Sequence, residues 1–285
     1  MNTDAYFEIG SSHRVCEDYA LSGVYEDMAY AIVSDGCSSS KHSDVGSRLL
    51  AHIAQGAIKH LKKRSLIVEP SYATLFRELV IKKCTETQQT LSLTPDIFDA
   101  TLLTCVVHGS KITLLGWGDG YFIFTLKDGS RGIIEIKFSS GAPYYLSYEL
   151  SQDKKESYRQ AFGKDPVTMN TYYYGPEGAL SSIDVKENIG LMDHTVYNVL
   201  EIDDVRTIAM TSDGTDTYED DPKFESFDGA PKKCYKAIEM IPTIVGYKNT
   251  VGEFVNRRMT RLRSDNDKSH ILHYDDVSCA AIALE

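Results

Sequence analysis

Apolar positions along this chain fall into two kinds of run. Short runs crowded with β-branched and aromatic residues, bounded by Gly, Asp or Ser, predict strands at Ala29–Ser34, Leu102–His108, Ile112–Trp117, Tyr121–Leu126, Ile133–Phe138, Val196–Ile202, Thr207–Thr211 and Val277–Leu284. His108-Gly109-Ser110 and Lys127-Asp128-Gly129-Ser130 leave no room for a crossover helix, so the strands that they join must pair antiparallel. The second kind of run repeats at helical spacing. After Ser43 as an N-cap candidate, Val45, Leu49, Ile53, Ala57 and Leu61 recur every four residues beside Leu50, Ala54 and Ile58. Ser71 is placed to cap a second helix carrying Leu75, Phe76, Leu79, Val80 and Cys84. Two more helices are predicted near the C-terminus. Pro231 opens one, with Cys234, Ile238 and Ile241, and the capping-box spacing of Thr250 and Glu253 opens the other before Val255, Met259 and Leu262.

The order is strands, two helices, an antiparallel run, two more helices and a final strand. Each helix pair needs an apolar sheet face to cover, and the strands suffice for two sheets. The pattern therefore predicts an α+β fold, an α-β-β-α sandwich of two mainly antiparallel sheets flanked by helix pairs. Residues 139–188 break the rhythm with Tyr144-Tyr145, Tyr172-Tyr173-Tyr174 and a charged stretch at Asp153–Glu156. They read as a long, partly helical, flap-like excursion within a single domain spanning 1–285.

Composition narrows the partners. Hydrophobic residues at 42% and charged residues at 25% mark a folded chain rather than a disordered one. The net charge of −11, with no basic block, makes nucleic acid an unexpected partner. The surplus of carboxylates suits a solubilising surface and acids gathered around hard cations equally well. No apolar run reaches the length of a membrane span, and Met1-Asn2-Thr3-Asp4 lacks the layout of a signal peptide, so the expected location is the cytoplasm. The cysteines Cys16, Cys37, Cys84, Cys105, Cys234 and Cys279 form no C-x-x-C pair and suggest neither a disulfide framework nor a zinc site.

The informative acids are those that follow strands. Three apolar runs end in Asp-Gly, at Asp35-Gly36, Asp119-Gly120 and Asp213-Gly214; Asp275-Asp276 precedes the terminal strand and Glu17-Asp18 lies near the first. Asp-Gly is also the strongest two-residue hairpin signal, and that reading holds at Asp128-Gly129 and Asp228-Gly229 and, taken alone, at Asp119-Gly120. Asp35 and Asp213 differ, because no returning strand follows them. Strands ending together in one sandwich would bring these acids to one rim, where they repel unless cations lie between them. A carboxylate cluster with water and backbone carbonyls suits Mg²⁺ or Mn²⁺.

The ordered set Cys16-Glu17-Asp18, Ser34-Asp35-Gly36, Ala100-Thr101-Leu102, Gly118-Asp119-Gly120, Ser212-Asp213-Gly214 and Asp275-Asp276-Val277-Ser278 resembles the motifs of the type 2C metal-dependent protein serine/threonine phosphatases. Ser12-His13 and Ser34-Asp35-Gly36-Cys37-Ser38-Ser39 are similar to a bacterial branch. The resemblance implies that Asp35 bridges two metal ions, with Glu17 and the Gly36 carbonyl on one ion and Asp213 and Asp275 on the other. It implies that Asp18 orients a metal-bound water and that Asp119 is a ligand of a weaker third ion. Two ions about 3.5–4 Å apart would then activate water for direct attack on phospho-Ser or phospho-Thr of a protein, itself the target of a protein kinase.

Departures from the family pattern shape the rest. His13 stands where many relatives place a phosphate-gripping Arg, with Arg14 one residue later, and either offers the phosphate contact. Cys37 stands where some relatives use a His as general acid, His42 being a nearby alternative. Thr217, with Asp216 before it, replaces an acid associated with the third ion. Glu219-Asp220-Asp221 reads as a solvated turn, Asp203-Asp204 as a turn between strands, and Tyr172–Tyr174 as packing under the excursion. Two other functions remain open: a weakly active phosphatase-like binding module, and a small-molecule phosphoester hydrolase.

Overall fold

Antiparallel pairing joins every ladder of the two large sheets in the computed structural model, which describes residues 1–67, 71–163, 167–187, 195–223 and 233–284. Strands β1 (Asn2–Glu8), β2 (Asp18–Tyr25) and β3 (Met28–Asp35) lead into helices α1 (Ser43–Lys63) and α2 (Tyr72–Leu91). Then come β4 (Leu102–His108), β5 (Lys111–Trp117), β6 (Gly120–Leu126), β7 (Arg131–Phe138), α3 (Gln152–Phe162), β8 (Val167–Tyr174), β9 (Leu180–Glu187), β10 (Val196–Glu201) and β11 (Val205–Thr211). The chain continues through β12 (Tyr218–Asp220), β13 (Cys234–Tyr235), α4 (Ala237–Ile244), α5 (Phe254–Ser269), β14 (Ile271–His273) and β15 (Val277–Ala283). One sheet runs β1-β15-β11-β6-β7-β8-β9, the other β10-β5-β4-β3-β2, and a small third β13-β12-β14.

Strand periodicity divides the core into three layers, because successive side chains on a strand point to opposite faces. On β3, Met28, Tyr30 and Ile32 pack with Leu50, Ile58, Phe76 and Val80 of α1 and α2, while Ala29, Ala31 and Val33 face the other sheet. On β15, Ala280 and Ile282 face into the sandwich, whereas Cys279 and Ala281 meet Met240 and Ile241 of α4 and Val255 and Met259 of α5. The result is the α-β-β-α sandwich that the strand and helix order predicts. No helix among the described residues is long and apolar enough to cross a membrane.

All eight predicted strands are present, each bounded within two residues of its sequence limits. The helix starts differ for identifiable reasons. Ser43 is the first residue of α1 rather than its cap; His42 holds the cap position at φ 60°, and the Ser43 hydroxyl turns to Glu17 instead. Ser71 occupies the cap position of α2 without a side-chain capping bond. Helix α5 begins at Phe254 with no side-chain cap, so the Thr250–Glu253 capping box does not form; the Thr250 carbonyl accepts from Asn2 Nδ2 at 2.6 Å. Pro231 and Asp228-Gly229 lie outside the described residues, Cys234 belongs to β13, and α4 opens only at Ala237. Tyr218–Asp220 form β12, so Glu219 and Asp220 belong to a strand rather than a turn. The stretch 139–188 contributes α3 and then β8 and β9, which extend the seven-stranded sheet; Tyr172 sits in β8 with its hydroxyl on Glu135 Oε2 at 2.8 Å.

Candidate active site

Four strand ends converge at one rim of the sandwich. Asp18 opens β2 and Asp35 ends β3, and the two are directly paired across the ladder. Thr101 clips this end: its Oγ1 accepts from Asp35 N at 2.9 Å, its N donates to Asp35 O at 2.8 Å, and its carbonyl accepts from Ser34 Oγ at 2.8 Å. In the other sheet, Asp213 leaves β11 into a 3₁₀ turn, Asp213–Thr217, while Asp275 and Asp276 lead into β15. Ser212 N donates to Ser278 O at 3.2 Å, and a Cβ on Gly214 would lie 1.8 Å from the Asp276 carbonyl, so only glycine lets these two strand ends approach. Asp119 is not in a hairpin. It sits where the chain passes from β5 in one sheet to β6 in the other, between Gly118 at φ 86° and Gly120 at φ 127°.

The acids reach one another electrostatically. Asp18 is 1% exposed, and burial pushes its carboxyl up to about 8 against the opposing hydrogen bond from Ser212 Oγ, 2.6 Å from its Oδ2. Burial, then the charges of Asp18 and Asp213, hold Asp35 well above the usual carboxylate range. Asp119 rises to about 7 through burial and the charges of Asp213, Asp216 and Asp275. Asp275 rises through burial and Asp213 and is lowered by His13. Carboxylates that raise one another in this way require protons or cations between them. Asp18 Oδ1 is buried with no hydrogen-bond partner among the described residues. The donor set is all hard oxygen, which fits Mg²⁺ or Mn²⁺ and not a soft metal.

Glu17 enters from the loop before β2. Its Oε1 accepts from Ser43 Oγ, and its carbonyl accepts from Gly36 N at 3.2 Å. A Cβ on Gly36 would come within 2.7 Å of the Ser43 carbonyl, so Gly36, Glu17 and the start of α1 are locked together. Asp276, 1% exposed, is the organiser of this side: Oδ1 accepts from Gly10 N at 2.7 Å and Oδ2 from Glu17 N at 2.5 Å. His13 Nδ1 lies 3.0 Å from Asp276 Oδ2, and Nε2 lies 3.4 Å from Asp275 Oδ1. Burial lowers the imidazole, but the Asp276 bond and the charges of Asp276, Asp275 and Glu17 outweigh it and leave it raised.

Most of the sequence candidates meet here. Glu17, Asp18, Asp35, Gly36, Asp119, Asp213 and Asp275 share the rim, and His13 joins them. Arg14 is exposed and has no ion pair among the described residues. His42 is exposed at the start of α1. Asp216 has a packing role, since Oδ1 accepts from Ala237 N at 2.8 Å at the start of α4 and Oδ2 accepts from Tyr121 OH. Thr217 Oγ1 accepts from Asp275 N at 3.1 Å and so helps to fix that acid.

Four residues that the sequence had put forward only as a cap, as motif neighbours or as part of the excursion prove to support the site. Ser212, Ser43 and Asp276 hold Asp18, Glu17 and His13. For Ser212 and Asp276 the only signal of this role is adjacency to the motif acids, and an isolated serine such as Ser43 carries none. Tyr145 is a fourth: its hydroxyl bonds to Cys37 and feels the charges of Asp35 and Asp119, which with burial hold it far above a normal phenol.

Residues 9–231 match the family model described as Protein phosphatase 2C. That span exceeds three quarters of the sequence, and the chain belongs to this family. The fold is shared with solved structures at low identity. A bacterial serine phosphatase is 11% identical with a TM-score of 0.53, covering 100% of this chain and 98% of its own. The serine/threonine phosphatase Stp1 from Staphylococcus aureus is 12% identical with a TM-score of 0.54, covering 100% and 96%. A sex-determining protein of C. elegans is 11% identical with a TM-score of 0.52, covering 99% of this chain and 64% of its own. No curated protein matches in sequence.

Proposed function

We propose that residues 1–285 form one phosphatase domain that hydrolyses phospho-Ser or phospho-Thr of a protein previously modified by a kinase, with Mg²⁺ or Mn²⁺ as cofactor. The observation that carries this reading is the group of buried and half-buried acids that raise one another at a single rim, with Asp18 Oδ1 lacking a partner among the described residues. Asp35 would be shared between two ions, Glu17 and the Gly36 carbonyl would serve one, and Asp213 and Asp275 the other. Asp119 would complete a weaker third position. Bound divalent ions supply charge neutralisation at the phosphoryl oxygens and acidification of the attacking water.

The chain's own side chains do the rest. Asp18, held by Ser212, would accept a hydrogen bond from a water at the site and orient it. His13, positioned by Asp276, offers an N–H donor to a phosphoryl oxygen where relatives use Arg. Helix α3 of the excursion adjoins the loop after Gly36: Lys154 pairs with Asp99 Oδ2 at 2.5 Å, and Asp99 also accepts from Ser40 of that loop.

Turnover of a phosphothreonine peptide should be absent in EDTA and restored by Mn²⁺ or Mg²⁺. Metal-independent turnover would reject the mechanism. Metal binding without turnover on any phosphopeptide would favour a binding module, and turnover of small phosphoesters alone would favour the metabolite enzyme.

A further inference from the structure

The outer face of α5 carries charge of the opposite sign. Residues 246–268 contain six Lys or Arg against three Asp or Glu, in a chain whose net charge is −11. Lys248, Arg257, Arg258, Arg261 and Lys268 line a cavity of about 690 Å³ between α5 and the loop after α4. Asp265 is the one acid on its wall among the described residues, 3.6 Å from Arg261 Nε and 3.8 Å from Lys268 Nζ. The other guanidinium contacts are with neutral groups. Arg257 donates to Asn249 Oδ1 at 2.9 Å and to the Val251 carbonyl at 2.6 Å, and Arg258 Nε donates to the Thr243 carbonyl. These bonds hold the forks in place without neutralising them. Burial and then the charge of Arg261 lower Arg258, as expected for cations crowded together.

The cavity is separate from the acid rim. Asn2, which binds the Thr250 and Gly252 carbonyls of the adjoining loop, pairs with Ala283 at one end of β15, whereas Asp275 and Asp276 precede its other end. The seven residues of β15 put that loop about 20 Å from the rim, and no residue lining the cavity belongs to the acid cluster. The volume falls within the range of about 300–1,000 Å³ typical of small-molecule sites. Tyr247, stacked edge-on to Phe254 with centroids 4.9 Å apart, provides an apolar floor, and Thr260 and Ser264 add hydroxyl donors. Arginine forks preorganised around such a floor match an anion with a flat apolar part, phosphate being the group that they bind best.

We propose that this cavity binds a phosphate-bearing small molecule of nucleotide size, at a site distinct from the acid cluster. It lies beyond residue 231, where the family match ends.

The test is calorimetric titration of the full chain in EDTA with ADP, inorganic phosphate and a phosphoserine peptide in separate runs. The expected result is saturable binding of one ADP, tighter than phosphate. Binding should weaken about tenfold or more in Lys248→Glu/Arg261→Glu, because two charge-assisted contacts are lost. Both residues are exposed, so the variant should melt as the parent does, and Arg261→Glu alone should show an intermediate loss. No saturable ADP binding, ADP binding that survives both substitutions, or phosphate binding as tightly as ADP would overturn the proposal. Tighter binding of the peptide than of ADP would overturn it in favour of a protein-docking groove.

Discussion

Asp18 and Asp35 face each other across the β2–β3 ladder, a buried acid and a half-buried one in register at the strand end. A directly opposed like-charge pair destabilises a sheet. The protein keeps it at the rim where Asp213 and Asp119 also gather, and the rim without cations must hold protons.

That requirement sets a pH dependence. The carboxyls of Asp18 and Asp119 rise in the fold to about 8 and about 7, from an ordinary range near 4. Between those limits the folded state binds more protons than the unfolded chain, so stability is greatest on the acid side and falls as pH rises through the folded values. In EDTA, melting temperature should therefore decline from pH 5.5 to pH 8, a range of about 2.5 units chosen to span these values. Mn²⁺ should remove most of the decline, since the ion binds the deprotonated form. A flat profile in EDTA would contradict the burial of these acids.

Asp35→Asn separates stability from function. In EDTA the raised Asp35 carboxyl stays protonated on the acid side and ionises only as pH climbs, so the variant should melt much as the parent does at low pH and higher than it at alkaline pH, while losing phosphopeptide hydrolysis. Ser212→Ala acts one contact further out, on Asp18, and should cost about 10–100-fold in activity, the usual range for groups that orient a site residue. Wild-type turnover in Asp35→Asn would remove that residue from the mechanism.

Gly214→Ala tests the approach of the two strand ends. The added methyl would lie 1.8 Å from the Asp276 carbonyl, and relief requires β11 and β15 to part where Asp213 and Asp275 sit. Metal affinity measured by calorimetry should fall, with turnover falling alongside. Retention of both would mean that the ends are not closely held.

Asp216→Ala should behave as a packing variant. It removes the acceptor for Ala237 N at the start of α4 and for Tyr121 OH, each partner being buried. The expected loss is about 1–3 kcal/mol in denaturant unfolding, with metal affinity at the rim retained. A selective loss of a third ion would instead place Asp216 in the metal site.

Short β-branched and aromatic runs bounded by Gly, Asp or Ser were enough to place the strands, and helical spacing was enough to place α1 and α2. The motif acids were also legible, because an acid directly after an apolar strand has only the rim to occupy. Helix starts were less so. Ser43 carries a capping signature, yet Glu17, 26 positions away, takes its hydroxyl. Asp216, one position before the family's third-ion acid, turned out to be held by α4 and Tyr121 through both its oxygens. Local sequence determines which backbone conformation each segment prefers and which side chains lie on each face. The competition among distant partners for a single hydroxyl or carboxylate is decided only when the sheets pack, because hydrogen bonds act over about 3 Å and chain separation says nothing about that distance.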